Sequence, residues 1–298
     1  MKSELIFVLV LALVLDRALG EPPDTWHPTV FMGRVIDFLD RRIGSGALIL
    51  LVSTIGFTLF SYAILSLAGG VFKFAAAAVI LKMTFSWRGL RDYTTPLADA
   101  VERGDLEGAR TWVPFIAGRN PTGLDTAGLV STAVESIAES SVDSVVAPLL
   151  FFGAFSALSL EAGVTAAVFY RVVNTLDSML GRPDNPKGFV PAKTDEALNL
   201  VPARLGAVLL LFSGALLRLP VGRGLRIFKR DRNKTASRNA GQTIAAMAGI
   251  LGVVLEKGGS YRLGDPLAEL KPRHIYEALR IVDLQIVTLT VLMVIYWI

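Results

Sequence analysis

The chain has 298 residues, of which 52% are hydrophobic and 19% are charged, with a formal net charge of +4. This composition, with a mean hydropathy of +0.53, is typical of a polytopic membrane protein rather than of a soluble enzyme. The absence of cysteine excludes disulfides and thiolate chemistry, and two distant histidines argue against a histidine-rich zinc site. No nucleic-acid-binding motif is present, so a nucleic-acid partner is not expected.

The chain begins with an apolar run, residues 4–15, followed by small residues. This pattern fits either a cleaved signal peptide or a retained membrane segment. Asp16 and Arg17 separate the run from the small residues, which favours a retained segment. A loop rich in Pro and Gly then leads into an amphipathic helix. His27 precedes a proline, so we predict extended backbone there.

Three stretches predict membrane spans from their length and lack of charge. Residues 47–68 form an uncharged run of 22 residues, and a helical span needs about 20. Residues 69–87 form a weaker second span. Residues 281–298 form a last span whose terminal Tyr-Trp pair suits a membrane interface. The polar stretch after the second span predicts amphipathic helices outside the membrane.

Three carboxylates recur at a spacing of four in the middle of the chain: Glu135, Glu139 and Asp143. That spacing places them on one face of a helix, which then enters the uncharged segment 144–160. Because like charges at this spacing repel, we expect a compensating cation. It is either a metal ion, an Arg or Lys from elsewhere, or a bound ligand. The alternative is a solvated acidic face on a surface helix.

A second group of polar residues interrupts the apolar segment 162–180. Arg171, Asn174 and Asp177 are three residues apart and share one helical face. Ionisable groups in an apolar helix predict a functional site. The alternative is a structural ion pair of Arg171 with either Asp177 or Glu139.

A polar loop is predicted over 181–204, before another apolar segment at 205–217. If the segments 144–160, 162–180 and 205–217 all crossed the membrane, the loop 181–204 and the basic stretch 218–238 would lie on opposite sides of it. One of these segments is therefore predicted to be buried in protein without crossing. Residues 218–238 contain eight basic and one acidic residue, which predicts a cytoplasmic location. The stretch 239–255 is rich in Gly and Ala and predicts a tightly packed or partly inserted helix.

Five blocks of this sequence, in the family's order, resemble the CbiB/CobD family of cobalamin biosynthesis, the adenosylcobinamide-phosphate synthases. They are LDRALGEPPDTWHPTVFMGRVI at 15–36, AVESIAESSVDSVVAPL at 133–149, YRVVNTLDSMLG at 170–181, AKTDEALNLVPARL at 192–205 and SRNAGQTIAAMAGILGV at 237–253. Together the blocks span nearly the whole chain, so the resemblance is far more specific than a match to any one block would be.

The resemblance implies an all-α, polytopic enzyme of the cell membrane with amphipathic cytoplasmic helices and a cytoplasmic active face. We expect one membrane-embedded domain over 1–298, with polar insertions at about 88–142, 181–204 and 218–280. The implied reaction joins a propionate carboxylate of adenosylcobyric acid to the amine of (R)-1-amino-2-propanol phosphate or a related amino-alcohol. ATP with Mg²⁺ would drive it. Lipid and other late cobalamin-pathway enzymes are the expected partners.

The blocks, with the residue chemistry, also select candidate site residues. Six are expected to be catalytic: Glu135, Glu139, Asp143, Asp177, Lys193 and Asp195. The first three are also the expected Mg²⁺ ligands, because carboxylate oxygens suit this cation. Seven are expected to bind substrate, the basic ones through phosphate: His27, Arg119, Arg171, Asn174, Asn199, Arg204 and Asn239.

The sequence departs from the family pattern at three positions. Ser140 stands where an Ala-Glu-Asn motif has Asn, Glu21 replaces the Asp of a Gly-Asp-Pro turn, and Glu196 replaces the second Asp of an Asp-Asp pair. The two acid-for-acid changes keep the charge. The change at Ser140 alters hydrogen bonding, so it bears on which amino-alcohol is preferred.

Two rival functions fit the same composition. One is a membrane transporter of a small charged solute, which inverted repeats would favour, and the sequence has none. The other is a different membrane enzyme that handles an alcohol phosphate, such as a lipid phosphotransferase. Its Asp-Gly-x-x-Ala-Arg signature is missing here.

Overall fold

A computed structural model describes residues 2–182 and 184–298, and these residues are overwhelmingly helical. The helices are α1 (Lys2–Leu19), α2 (Pro28–Asp40), α3 (Gly46–Leu67), α4 (Gly70–Lys82), α5 (Trp87–Glu102), α6 (Leu106–Ile116), α7 (Thr126–Ser141), α8 (Ala147–Phe155), α9 (Leu160–Leu180), α10 (Phe189–Leu198), α11 (Leu200–Leu216), α12 (Val221–Asp231), α13 (Ala240–Leu251) and α14 (Arg273–Trp297). A π-helical turn, Val142–Val146, joins α7 to α8, and a 3-10 turn, Pro186–Gly188, precedes α10. Strands β1 (Leu255–Lys257) and β2 (Tyr261–Leu263) form an antiparallel hairpin.

Several helical stretches are long and apolar enough to cross a membrane. They are Gly46–Leu67, Gly70–Glu102, Thr126–Phe155 and Arg273–Trp297, with a further one if the bent pair Pro186–Leu198 and Leu200–Leu216 counts as one span. On α3 the exposed side chains include Leu51, Ile55 and Leu59, spaced so that they form one apolar, lipid-compatible stripe. The all-α, polytopic membrane architecture predicted from the sequence is therefore confirmed.

The chain divides into two compact units, each built from separate stretches of sequence. Unit 1 comprises Met1–Arg88, Asp143–Asn199 and Met293–Ile298; unit 2 comprises Gly89–Val142 and Leu200–Leu292. The prediction of a single domain over 1–298 stays a prediction.

Helix α9 is the centre of unit 1. Its residues Val168, Val172 and Leu176, four apart and on one face, are buried against Ile36 of α2 and Ile49 of α3. Helices α8 and α10 also pack on α9. The core thus surrounds the helix that carries the polar group predicted at 171–177.

Helix α13 is the centre of unit 2. Every residue from Gly241 to Leu251 is buried, and α7, α11 and α12 pack around it. A Cβ atom on Gly249 would lie 2.8 Å from the Cα atom of Gly224 in α12, so glycine is required for this close approach. Arg223 donates to the carbonyl oxygens of Gly249 and Ile250 and so caps the helix. The predicted tightly packed helix is confirmed.

The polar loop predicted at 181–204 is wrong, because α10 and the start of α11 occupy most of it. Its stretch 192–200, AKTDEALNL, contains several helix formers, namely two Ala, two Leu, one Lys and one Glu. Pro191 and Pro202 lie in the first turns of their helices, where proline is tolerated. The basic stretch 218–238 is likewise largely the helix α12 rather than an irregular loop.

The first and last helices both pack against other helices. Helix α1 packs on α4 and is not among the helices long and apolar enough to span; the retained segment expected from the sequence stays a prediction. At the other end, Tyr296 is exposed but Trp297 is buried, edge-on against Phe152. Trp297 therefore contacts protein, and the interface position expected for the Tyr-Trp pair stays a prediction.

Candidate functional site

The Glu135 carboxylate on α7 is buried in unit 2 and accepts three side-chain hydrogen bonds. Its Oε2 accepts from Arg119 at 3.0 Å and from the Tyr261 hydroxyl, and its Oε1 accepts from Ser131 at 2.7 Å. Hydrogen bonds from charged and hydroxyl donors stabilise a buried carboxylate. The compensating cation expected for Glu135 is thus Arg119 in this structure.

Local structure positions Arg119 and Tyr261 beside Glu135. Arg119 lies in the loop between α6 and α7, and its second terminal nitrogen donates to Thr132 at 2.7 Å. The hairpin that carries Tyr261 is attached to α7, because the Glu256 amide donates to the Ser131 hydroxyl at 3.0 Å. Burial, followed by the nearby Glu135 carboxylate, raises the pKa of the Tyr261 phenol. The phenol therefore stays protonated and donates to Glu135 at physiological pH.

Two cavities of very different size lie beside this cluster. A cavity of about 1110 Å³ is lined, among others, by Arg119, Asn120, Asp125, Lys257, Arg262 and Glu269. A smaller cavity of about 190 Å³ is lined, among others, by Arg119, Glu135, Glu139, Ser140, Lys257 and Tyr261. Arg119 and Lys257 belong to both walls. Glu139 is exposed, in contrast to the buried Glu135 one turn before it.

Tyr261 and Lys257 were not among the residues selected from the sequence, although a local signal was present. The segment LEKGGSYRL has a Gly-Gly pair between two short runs, which is a hairpin pattern. Gly259 has φ +72°, a conformation that favours glycine. The hairpin itself was therefore predictable, but its contact with Glu135, which is 126 residues away in sequence, was not.

The expected three-carboxylate magnesium site does not fit this structure. Glu135 is already held by its three donors. Asp143 lies in the π-helical turn and belongs to unit 1, within electrostatic reach of Tyr170 and Arg171. Within residues 2–182 and 184–298, no group of three or more His, Cys, Asp or Glu is arranged to hold a metal ion. The catalytic roles expected of these carboxylates stay predictions.

A buried ion network in unit 1 contains His27 and three residues that sequence reasoning did not select. Lys82 Nζ lies 3.6 Å from Asp16 Oδ1 and 3.2 Å from Glu21 Oε1. His27 Nδ1 accepts from the Thr29 amide, so His27 Nε2 carries the proton and donates to Glu21 at 2.8 Å. His27 has the predicted extended backbone and caps α2.

The Glu21 carboxyl shows how strongly this network favours the charged form. Burial alone would raise its pKa, but hydrogen bonds from His27, Ser86 and Lys82 outweigh burial and lower the pKa to about 2. Opposite charges and donors around a partly buried carboxylate have this effect. The acid-for-acid change at Glu21 thus keeps a carboxylate that is fully bonded.

A second hydrogen-bond chain in unit 1 joins four of the predicted substrate-binding and catalytic residues: Arg171, Asn174, Asp195 and Asn199. Arg171 donates to the Thr84 carbonyl at 2.6 Å and to Asn174 at 3.3 Å. Asn174 and Asn199 donate to the two Asp195 oxygens at 3.3 and 3.0 Å. The Asn199 oxygen accepts from the buried Tyr170 hydroxyl at 2.9 Å. The suggested Arg171–Asp177 ion pair is wrong, because a backbone carbonyl and an amide hold Arg171.

The remaining candidates lie elsewhere. Lys193 is exposed and pairs with Glu196 one turn later on α10. Arg204 on α11 donates to the Leu200 carbonyl and, at 3.2 Å, to Asn239 before α13, so two predicted binding residues meet on the surface of unit 2. Asp177 is half-buried on α9, within electrostatic reach of Asp195.

The chain was compared with families and proteins already known. The family described as CobD/Cbib protein matches residues 9–282. A "Probable cobalamin biosynthesis protein CobD" of Methanothermobacter thermautotrophicus is 33% identical, over 96% of this chain and 95% of the relative. A "Cobalamin biosynthesis protein CobD" of Dehalococcoides mccartyi is 36% identical, over 91% of each chain. A similarly named protein of Thermococcus kodakarensis is 38% identical, over 91% of this chain and 89% of its own. No solved structure matches.

Proposed function

The chain belongs to the CobD/Cbib family and takes part in cobalamin biosynthesis; we propose that it does so as an acid–amine ligase of the cell membrane. The acid is adenosylcobyric acid, the amine is (R)-1-amino-2-propanol phosphate or a close relative, and ATP supplies the free energy. The observation that carries the proposal is the buried Glu135, held by Arg119, Ser131 and Tyr261 beside cavities that also present Glu139 and Lys257.

The chemistry requires the acid to be activated before the amine attacks. A carboxylate is a poor acyl donor, so its oxygen first takes the terminal phosphoryl group of ATP, which gives an acyl phosphate and ADP. The amine nitrogen then attacks the acyl carbon, the carbon–oxygen bond to phosphate breaks, and inorganic phosphate leaves. The attacking nitrogen loses a proton as the amide forms, so a nearby carboxylate base helps.

The residues around the small cavity fit these tasks. Arg119 and Lys257 hold the phosphate oxygens and stabilise the negative charge that develops during attack. The exposed Glu139 orients the amine and accepts its proton. Glu135 acts through its neighbours, because its bonds fix the directions of Arg119 and Tyr261. In this assignment Glu135 is a positioning residue.

Magnesium is proposed to enter with ATP rather than to reside in a cage of protein carboxylates. Mg²⁺ keeps several waters and is usually bound by one or two carboxylates together with substrate phosphates. Glu139 or Asp125, both on cavity walls, is the carboxylate proposed for such a contact.

The active face is proposed to be cytoplasmic. Helix α12 and its flanks carry the eight basic residues of 218–238, and such segments stay on the cytoplasmic side of a membrane. ATP is supplied from that side. Labelling of a cysteine introduced at Lys229 from one side of intact vesicles tests this assignment: labelling from the external face contradicts it.

A single reconstitution tests the proposed reaction. Purified protein in detergent is supplied with adenosylcobyric acid, the amine phosphate, ATP and Mg²⁺, and the corrinoid is analysed by mass spectrometry. We expect a product whose mass equals acid plus amine minus water, and none when ATP is omitted. An unchanged corrinoid, together with accumulation of a charged solute in proteoliposomes, would favour the transporter instead.

A further inference from the structure

Two of the cavities in unit 2 share a wall made by Arg119 and Lys257, and their sizes differ about sixfold. We propose that the small cavity is the subsite for the amine, bound as an amino-alcohol phosphate, and that the corrinoid acid enters from the large one. This inference rests on the proposed function, since it divides the substrates of that reaction between two places. The new amide bond would form where the cavities meet.

Size supports this division. Pockets for drug-sized molecules have volumes of roughly 300–1,000 Å³. The small cavity, at about 190 Å³, lies below this range and suits a molecule of few heavy atoms. The large cavity, at about 1110 Å³, lies above the range, as required for part of a corrin ring and its side chains. A corrinoid therefore does not fit the small cavity.

Charge supports the same assignment. Two cations, Arg119 and Lys257, and two carboxylates, Glu135 and Glu139, line the small cavity. Arg119 and Glu135 are paired with each other. The Lys257 ammonium, in contrast, forms no ion pair with any residue among those described. A ligand with both an ammonium and a phosphate matches this wall, with its phosphate on Lys257 and Arg119 and its ammonium on Glu139.

The hairpin register explains how Lys257 reaches this position. Lys257 and Tyr261 are directly opposite each other on β1 and β2, so their side chains lie on the same face of the hairpin. Tyr261 is fixed on that face by its hydrogen bond to Glu135. Lys257 is therefore held beside the same cavity by a backbone ladder rather than by a flexible loop.

Ser140 gives the subsite a means of selecting the amine. It lies on the wall of the small cavity, next to Glu139. Its short side chain leaves more room than the Asn of the family motif, and it offers a hydroxyl instead of an amide. Ser140 therefore determines how large an amino-alcohol the cavity accepts.

Binding of the amine alone tests the subsite. Purified protein in detergent, without corrinoid or ATP, is titrated calorimetrically with (R)-1-amino-2-propanol phosphate, ethanolamine phosphate and unphosphorylated 1-amino-2-propanol. In Lys257→Gln we expect the two phosphorylated amines to bind at least about tenfold more weakly, a loss of about 1.4 kcal/mol, while binding of the unphosphorylated amine changes little.

In Ser140→Asn we expect the affinity for (R)-1-amino-2-propanol phosphate to fall more than the affinity for the smaller ethanolamine phosphate. Lys229→Gln, on exposed α12, is the matched control and should bind all three amines as the unaltered protein does.

The outcomes separate the subsite from the reaction. If the amide product forms but neither Lys257→Gln nor Ser140→Asn changes amine binding, the subsite assignment is wrong and the ligase proposal stands. If the phosphates bind with the expected losses but no amide forms with any of them, the subsite stands and the ligase proposal fails. Equal weakening of phosphorylated and unphosphorylated amines in Lys257→Gln also overturns the assignment, because the lysine would then not act on phosphate.

Discussion

The two polar clusters of this protein use the same residue types in opposite ways. In unit 1, the buried Lys82 pairs with the buried Asp16 and the half-buried Glu21. Arg171, in the same unit, donates to the Thr84 carbonyl and to the Asn174 amide oxygen. In unit 2, Glu135 is similarly held, but its neighbours Glu139 and Lys257 line cavities. The unit 1 cluster has the character of a structural network, and the unit 2 cluster that of a binding site.

This difference shows why charged residues in an apolar sequence do not by themselves mark an active site. Ionisable groups in membrane helices are a functional hypothesis by default. Burial with ion-pair partners inside the protein, as at Lys82, which pairs with Asp16 and Glu21, instead indicates a role in holding helices together. What marks the unit 2 site is that cavities reach its charged side chains. Mutations in each cluster can test this difference.

The largest effect is expected from Lys82→Met, in the unit 1 network. Removing one partner of a buried ion pair costs about 3–5 kcal/mol of folding free energy, because Asp16 and Glu21 would be left without their cation. We expect a large loss of thermal stability and of folded protein in detergent, measured by melting temperature and gel filtration. Lys229→Met, on the exposed face of α12, should change stability by less than about 1 kcal/mol. A normal melting temperature for Lys82→Met would show that the network is not structural.

Glu139→Gln, in the unit 2 site, is expected to lower amide formation by at least about 100-fold. Glutamine keeps the shape of the side chain but cannot accept the amine proton. Because Glu139 is exposed, the melting temperature should stay within about 1 °C of the starting value. Glu107→Gln on α6, also exposed, is the control for loss of one surface carboxylate. Normal turnover by Glu139→Gln would remove this residue from the mechanism.

Tyr261→Phe tests whether Tyr261, in unit 2, acts through Glu135 or contacts substrate. It removes one donor from the buried Glu135 carboxylate, which costs about 1–3 kcal/mol of stability. Since Tyr261 acts through Glu135, we expect kcat to fall about tenfold while the KM for the amine stays the same. Tyr62→Phe, on the exposed side of α3, should change neither quantity. A selective rise in the amine KM would instead mean that Tyr261 contacts substrate.

Glu21 gives a pH dependence of stability with a defined sign. Its pKa is lowered from 4.5 to about 2, so its contribution to stability is fully present above pH 4.5 and is lost as the pH falls toward 2. Glu21→Gln should be less stable at neutral pH and should lose this part of the acid sensitivity. Melting temperatures from pH 7 to pH 3 measure the difference. Parallel curves for the two proteins would contradict the assignment.

The smallest effect is expected at the exposed pair of Arg204 and Asn239. Exposed polar contacts contribute up to about 1 kcal/mol, so Arg204→Ala should shift the melting temperature by only a few degrees. Because family resemblance selected both residues, product formation is measured in parallel. Full activity would mean that Arg204 does not bind substrate.

Residue types in the sequence predicted the membrane helices and the need for a cation beside Glu135. The uncharged run 47–68 identified the candidate span α3, because a long apolar run is the sequence signal of a membrane helix. The choice of Arg119, Glu135 and Glu139 as site residues also came from sequence. Their grouping around one small cavity depends on the hairpin, whose Lys257 and Tyr261 reach α7 only through tertiary packing.

Two other features were not predicted from local sequence patterns. Lys82 was not selected from the sequence, although it is the buried centre of the unit 1 network, because its partners come from α1 and the following loop. The segment 181–204 was predicted as a loop from its polarity, whereas its helix formers and well-placed prolines favour α10 and α11. In both cases, long-range packing or propensity outweighed the local distribution of charge.

A Glu→Gln substitution in each cluster tests most directly the claim that the chemistry takes place in unit 2. Corrinoid product per folded molecule is measured by mass spectrometry for Glu21→Gln and Glu139→Gln, with folded protein quantified by gel filtration. We predict that Glu21→Gln forms product at the normal rate per folded molecule and that Glu139→Gln forms almost none while folding normally. Loss of product in Glu21→Gln with full activity in Glu139→Gln would contradict the account and move the chemistry to unit 1.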